Sequence, residues 1–431
     1  MLAAVILLLL AATYTWLEVR KYKSYQHRIH TDAAFIVKID ADKLYRTLAI
    51  DYLGNSSHYR NKKGEAINSG LDIPANIFIY TVHSKSLQTY FCSFPVADTT
   101  ALKAFIRKEL GIAQLKNTGK YLKGTSANGQ ITVAFNSHTF AAGYSFKKEN
   151  INDILEDLLN GQNLLTDKDP KLEKLKALNA HLAYVSEGYT GTGEFKDGSI
   201  HLQGDFNFKG LNVDGKVFNH RVFDKNPTVK MWLNARLNSN SKHEAFQIKG
   251  HTIYPDSLLK YYNGYFDLEL TDPVIQTDTL ITYEYNDDFE KEEIITPRTV
   301  KVPGISSVIN SNAQNLLSHL NREGIINGGV LNKQLFPLYQ VYAKSSKSDM
   351  MFSTNEHAGY SSSKQKTPYF FYLEADFEKI KAQGQFLLIE SYIKQLSNVS
   401  VKAWHKKADH PYFEMDLYFK LKHINALAQL F

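Results

Sequence analysis

Over most of this chain apolar residues recur at every second position, the spacing of half-buried strands, and only short interludes carry the three-to-four spacing of helices. Ala33-Ala34-Phe35-Ile36-Val37-Lys38-Ile39 reads as a strand, and Asp40-Ala41-Asp42 caps a helix expected to run to Leu53. A polar loop from Gly54 to Ser69 is expected next, then paired strands at Ile77 to Val82 and Gln88 to Val96. Asp98-Thr99-Thr100 caps a helix to Leu110 that sets Leu102, Phe105, Ile106 and Leu110 on one face. Short strands near Tyr121, at Ile131 to Phe135 and at Phe140 to Ser145 follow, and an amphipathic helix from Glu149 to Leu159 closes the stretch. This order predicts an α+β fold, with antiparallel sheets and helices packed on one face.

A charged linker, Asp167-Lys168-Asp169-Pro170, leads to a region dominated by strands. In Ile200 to Phe208 the pattern turns Ile200, Leu202, Phe206 and Phe208 inward and His201, Gln203, Asp205 and Asn207 outward. Val229 to Leu237 and Leu280 to Tyr285 alternate similarly, and Ser306 to Leu320 has helical spacing. A hairpin, Val399 to His405 and Tyr412 to Lys420, and a short helix from His423 to Leu430 come last. Ile39-Asp40-Ala41-Asp42 is echoed by Leu373-Glu374-Ala375-Asp376 and more loosely by Leu233-Asn234-Ala235-Arg236; four-residue matches also arise by chance, and if the echo is a duplication it implies two or three related strand-to-helix units whose acidic residues are caps. The expected organisation is a basic-flanked anchor (1–30), an α+β domain (31–165), a β-rich middle domain (166–330) and a C-terminal α+β domain (331–431).

The exception to the strand pattern is the uncharged stretch Leu2 to Leu17, followed by Arg20, Lys21, Lys23 and Arg28. As a helix it spans roughly 24 Å, somewhat less than a bilayer core, with Tyr14 and Trp16 near an interface. A cleavable signal peptide competes with a retained transmembrane anchor for this segment. The first wants a basic region ahead of the apolar run, whereas Met1 is followed directly by Leu2, and Ala11-Ala12 make a poor cleavage site, which favours the anchor. The basic cluster argues for a cytoplasmic C-terminal side. The β-rich bulk behind a single apolar segment argues for export, giving a single-pass inner-membrane protein with its bulk in the periplasm.

Composition narrows the chemistry. The chain has 431 residues, 43% apolar and 22% charged, ordinary for folded material, and its 13% aromatic content suits pleated surfaces. A net charge of +6, part of it in the basic cluster, gives no support to a nucleic-acid role. The single cysteine, Cys92, sits on a strand with Tyr90 and Phe94 on its face and reads as a small buried apolar residue. Gly210 to Val217 has phosphate-loop spacing but ends in Val217 where a hydroxyl is needed, so it reads as a β-turn. His405-Lys406-Lys407-Ala408-Asp409-His410 holds three possible metal ligands, yet its lysines oppose a cation and Pro411 marks a hairpin tip. His27 and His30 read as interfacial positive charge. Asn286 to Glu293 is acidic but lacks a calcium loop's central glycine, between strands ending at Tyr285 and running from Ile294 to Lys301. Gly124 to Gly129 has the wrong spacing for a nucleophile elbow. No catalytic, cofactor or metal residue is assigned, and the chain is not expected to be an enzyme.

The apolar segment, then Asp32-Ala33-Ala34-Phe35-Ile36-Val37 and Ser69-Gly70-Leu71-Asp72-Ile73 before the next strand, resembles large uncharacterised envelope proteins of the Bacteroidota over the first half of the chain. The resemblance implies export from a Gram-negative cell and carries no functional residues across. The expected function is non-enzymatic: an anchored α+β ectodomain that binds another envelope protein or scaffolds an assembly. The alternatives are a lipid or glycan carrier, with an apolar groove lined by the inward residues of Ile200 to Phe208, and a hydrolase of unknown substrate.

Overall fold

The computed structural model describes residues 2–26, 28–60, 67–206, 210–237, 245–248, 251–285, 290–359, 363–407 and 410–430. The chain is a mixed α+β protein that divides into two compact units, one of Met1–Asp205 with His423–Gln429 and one of Phe206–Lys422.

In the first unit, helix α1 (Leu2–Ser24) leads into β1 (Ala33–Asp40), α2 (Ala41–Gly54), the short α3 (Ser56–Arg60), β2 (Asn76–Val82), β3 (Thr89–Pro95) and α4 (Thr99–Lys108). There follow β4 (Lys116–Asn117), β5 (Leu122–Thr125), β6 (Ile131–Phe135), β7 (Thr139–Ser145), α5 (Asn152–Asn160), α6 (Pro170–Ala177), β8 (Leu182–Ser186), β9 (Tyr189–Lys196) and β10 (Ser199–Asp205). The pairings are all antiparallel and give the strand order β4-β5-β6-β7-β3-β2-β1-β8-β9-β10. β2 and β3, expected as partners, register only at Tyr80 and Phe91; β2 runs along β1 and β3 along β7.

The expected caps form. Asp40 accepts from the Lys43 amide and Asp98 from those of Thr100 and Ala101. Asp169-Pro170 is the start of α6, with Asp169 accepting from Lys171 N and Pro170 in the first turn, rather than a linker. The first unit also departs from helices on one face. Ala134 and Ala141 pack with α5 in one core, whereas Val133, Phe135 and Phe140 pack with Leu102 and Ile106 of α4 in another. Their alternation along β6 and β7 puts the two helices on opposite faces: these strands are apolar at nearly every position, so both faces need cover.

The second unit begins with β11 (Leu211–Asn212), β12 (Phe218–Arg221), β13 (Val229–Asn234), β14 (Arg236–Leu237), β15 (Phe246–Ile248), β16 (His251–Ile253) and α7 (Pro255–Leu259). Two long strands follow, β17 (Tyr262–Tyr285) and β18 (Lys291–Ser311), then α8 (Ala313–Arg322), β19 (Ile326–Asn327), β20 (Val330–Leu331), β21 (Tyr342–Ser345) and β22 (Asp349–Ser353). The last elements are β23 (Lys364–Thr367), β24 (Phe371–Asp376), α9 (Phe377–Gln383), α10 (Leu387–Ile393), β25 (Leu396–Lys407) and β26 (His410–Phe419). Helix α11 (Ala426–Gln429) belongs to the first unit. The main sheet runs β21-β22-β18-β17-β13-β24-β25-β26, again antiparallel throughout.

Ser306 to Ser311, expected as the start of a helix, is the end of β18, registered with both β17 and β22; the helix begins at Ala313. α8, α9 and α10 pack on one face of this sheet, against Met350 and against Leu270, Ala375 and Val399. The echoed phrases are alike in form. Asp376 ends β24 and accepts from Lys379 N three residues on, as Asp40 accepts from Lys43 N. The third phrase, at Leu233 to Arg236, runs from β13 into β14 with no helix.

Candidate functional site

Register builds the site in the second unit. Ile309 lies opposite Phe266, Phe266 opposite Leu233, Leu233 opposite Phe371, Phe371 opposite Ala403 and Ala403 opposite Phe413. Residues directly opposite one another share a face, so this is one apolar row across six strands. It lines two adjoining pockets. One, of about 330 Å³, lies between Leu233, Phe266 and Ile309 of the sheet and Leu258, Leu316 and Leu320 of α7 and α8. The other, of about 560 Å³, is lined by Leu233, Phe371, Val401, Ala403 and Phe413 together with Phe206. Leu233 is common to both.

A buried polar group lacking a hydrogen-bond partner accompanies each pocket. The Tyr262 hydroxyl borders the smaller one, and burial pushes its pKa up to about 12. Past Ala403 on the same face of β25 comes His405, whose ring lies 5.5 Å from that of Phe370 in the wall of the larger pocket; both its ring nitrogens are shielded from solvent and unbonded.

The opposite face of the sheet is polar. The Arg221 guanidinium forks onto Asp267, at 3.1 and 3.0 Å, and reaches Glu269 at 3.0 Å. Asp267 also accepts from the Tyr265 hydroxyl and Val308 N, and Glu269 from Asp224 N. Asp267 is fully buried. Burial opposes charge on Arg221, but hydrogen bonding and charge from Asp267 and Glu269 outweigh it and raise its pKa; burial also raises that of Glu269. Beside this cluster Trp232 is stacked between His220, at 4.0 Å, and Tyr372, at 4.4 Å. These groups brace the sheet chemically rather than opening onto the apolar pockets, because alternation sets Trp232 and Leu233 on opposite faces.

β17 and β18 extend beyond this sheet as a two-stranded ribbon. From Thr279–Pro297 to Tyr285–Lys291 seven residue pairs register with each other, roughly 24 Å of ribbon. Lys291 to Thr299 are all exposed, and Ile275, Tyr283 and Ile295 present apolar surface. Elsewhere in this unit α10 exposes Leu387, Leu388 and Tyr392, the second at 92%.

The motifs weighed from sequence fall as follows. Cys92 lies on β3, and burial pushes its thiol up to about 11, which suppresses the nucleophilic thiolate. Gly210 to Val217 runs from β11 into β12, a strand. His405 registers with Pro411 and His410 with Lys407; Ala408 and Asp409 lie outside the described residues, as do Asn286 to Phe289 of the acidic run and His27. Of Gly124 to Gly129, the first two residues end β5 and Ser126 to Gly129 lie in the turn that leads to β6. Among the described residues no three or more His, Cys, Asp or Glu side chains converge as a metal site. Of Ile200 to Phe208, Phe206 alone enters the larger pocket's lining, and Asn207 and Phe208 lie outside the described residues.

His30 is not interfacial. It is 7% exposed, its Nε2 lies 3.1 Å from Asp157, and its Nδ1 accepts from Asp32 N. Two of the basic cluster are likewise engaged within the first unit: Arg20 pairs with Asp42 at 3.1 Å and donates to Ile73 O, and Arg28 donates to the Leu158 and Leu159 carbonyls at the end of α5. Ser24 and Tyr25, where α1 ends, are buried in the same unit. Among the described residues no helix is long and apolar enough to cross a membrane; the side chains of residues 2–11 of α1 lie outside them.

No family model and no curated protein matches the chain. Among solved structures it is similar to "Structure of crystal form I of TP0453" at 8% identity over 74% of this chain and 87% of that one, with a TM-score of 0.22. Crystal form III of TP0453 matches at 9% identity over 75% and 89%, with a TM-score of 0.23. Superpositions this loose carry no argument about what this chain does.

Proposed function

We propose that this chain is a non-enzymatic, membrane-anchored envelope protein whose α+β ectodomain binds another protein or scaffolds an assembly. The observation that carries the reading is the ribbon of β17 and β18. An isolated two-stranded hairpin is marginal in water, and one that projects exposed isoleucine and tyrosine side chains is suited to gaining stability from a partner. The charges at Lys291, Glu292, Glu293 and Arg298 and the missing donor at Pro297 guard its edges, which favours capture through its faces.

The anchor is residues 2–17, continuous with the helix that ends at Ser24. Arg20 and Arg28 are engaged by Asp42 and by the end of α5, which leaves Lys21 and Lys23 as the exposed part of the cluster and halves the charge argument against export. An inner-membrane protein with a periplasmic bulk, in keeping with the resemblance to Bacteroidota envelope proteins, is the reading these contacts favour.

Native detergent extraction of the full chain, with mass spectrometry of what co-purifies, tests it. The wild type is expected to bring down the same envelope protein in replicate extractions, and Tyr283→Ser with Ile295→Asp to lose it while keeping its circular dichroism. A wild-type chain recovered alone each time refutes the proposal.

A further inference from the structure

We propose that helix α10 and the lysines around it dock on an anionic phospholipid surface, with Leu387, Leu388 and Tyr392 entering the boundary between headgroups and acyl chains. Neither the ribbon's partner nor the anchor at residues 2–17 is needed for this contact.

Helix α10 already has its core face. Ile393 is buried and Phe386 half-buried among Leu270, Ala375 and Val399, and a helix seated on a sheet by that stripe is expected to carry polar residues on its other side. Its outer side instead holds Leu387, Leu388 and Tyr392, exposed at 73%, 92% and 83%. Leu388 and Tyr392 are one turn apart and stand side by side. Leu421, also exposed, adds to this surface from just after β26, where the Lys420 amide donates to the Gln395 carbonyl beside the end of α10. A side chain as open as Leu388 stands proud of its neighbours, so the surface is convex. A protein partner has to supply a cleft of matching shape, whereas fluid acyl chains close around any apolar wedge.

The rim gives the charge of what is bound. Lys394 ends α10, Lys420 and Lys381 share Glu378 at 3.4 and 2.9 Å, and Lys422 is exposed two residues further on. Against these four ammonium groups stand two carboxylates, Glu378 and Glu390, the second close enough to Lys381 to interact with its charge. The surplus is positive. Lysine stems lie along apolar surface while their heads reach water or phosphate, and tyrosine is favoured at the same depth. A leucine wedge with a tyrosine and a lysine rim is the composition of a helix that lies in a membrane interface and gains further from acidic lipids. A zwitterionic surface offers the apolar gain alone, so the site is assigned to acidic phospholipid.

Cys92→Ser removes the single native cysteine, and Leu388→Cys then carries an environment-sensitive fluorophore on the outer side of α10. The full chain is reconstituted in vesicles of phosphatidylcholine with or without phosphatidylglycerol, and depth is read by quenching from lipids brominated on the acyl chain against quenching by aqueous acrylamide. In vesicles holding the acidic lipid the fluorophore is expected to be quenched by the bromines and shielded from acrylamide. At Leu338→Cys, another site on exposed surface of the second unit, it is expected to remain open to acrylamide. Lys394→Gln with Lys420→Gln is expected to lower the ratio of inserted to aqueous fluorophore roughly 25-fold, about fivefold for each cation near the surface. Tyr392→Ser is expected to lower it about tenfold. The substituted side chains of α10 are exposed, circular dichroism checks the fold, and Leu387→Cys serves as the labelled site if Leu388→Cys fails to fold. Full acrylamide access in acidic vesicles, bromine quenching equal with and without phosphatidylglycerol, insertion equal at positions 388 and 338, or insertion indifferent to the lysine and tyrosine changes overturns the assignment. So does shielding from acrylamide without bromine quenching, the mark of a protein covering the helix.

Discussion

Replacing Arg221 with Met should unfold the second unit far more readily than removal of a surface arginine would. The substitution keeps the aliphatic bulk but leaves Asp267, fully buried, and Glu269, nearly so, with no cation between them. Breaking a buried ion pair by removing one partner costs about 3–5 kcal/mol. At a urea dependence near 2 kcal/mol per molar, the midpoint falls by roughly 2 M. Fluorescence of Trp232, stacked on the neighbouring His220, reports the transition. The sign of the pH dependence is fixed as well. Burial already raises the folded-state pKa of Glu269 against the opposing pull of Arg221, and without Arg221 that carboxyl binds its proton still more tightly folded than unfolded. The stability of the variant is therefore greatest at acid pH and is lost as pH rises through the raised folded-state pKa, so its deficit against wild type should be smaller at pH 5 than at pH 7.5. Adding Asp267→Asn and Glu269→Gln, which keep acceptor oxygens for Val308 N and Asp224 N, should recover at least half the loss. A deficit below about 1 kcal/mol, or one flat with pH, refutes the reasoning.

Three further outcomes follow from the same kind of argument. Lys38 is buried, with its ammonium donating to the Leu175 and Leu178 carbonyls, and burial lowers its pKa from 10.5 to about 8, a penalty of about 3 kcal/mol below pH 8 that fades as pH rises towards 10.5; urea titrations of wild type and Lys38→Met from pH 7 to 10 should show stability rising with pH in the first alone. Asp40→Ala and Asp376→Ala each remove a helix cap and should each cost about 1 kcal/mol by denaturant titration, with a much smaller loss at either position refuting its role. Gly70→Ala should cost roughly 2–3 kcal/mol, because φ is +67° and a Cβ would meet Asp98 O at 2.3 Å; an unchanged melting temperature would count against the turn geometry.

Local signals in the sequence were legible where one residue decides the outcome. Asp40 and Asp98 stand ahead of apolar helical spacing and do cap helices, as Asp376 does in the echoed phrase. Ser306 to Ser311 misled because Ile305, Val308 and Ile309 have helical spacing, yet pairing with β17 on one side and β22 on the other decides the conformation. His30 misled for a different reason: its neighbours in sequence are basic and polar, and only the fold brings Asp157 to it. The apolar row was legible residue by residue and not as a row. Leu233, Phe371 and Phe413 each alternate inward on their own strands, but register across strands far apart in sequence is what turns them into one trough. The Arg221 cluster has the same character, since 46 and 48 residues separate its partners.

The junction after α1 has a mechanical meaning. Ser24 is held by Asn76 and by the Lys21 carbonyl, Tyr25 and Ile29 enter the core, and Arg20 is tied to Asp42, so helix and first unit meet without slack. Seated in a bilayer as proposed, the seven residues from Glu18 to Ser24 form a pedestal roughly 10 Å tall. The first unit then behaves as a vane on a rigid mast: any tilt or rotation of the apolar segment becomes an equal reorientation of the sheet whose central strands are β1 and β2, and a glycine pair inserted after Tyr22 would uncouple the two.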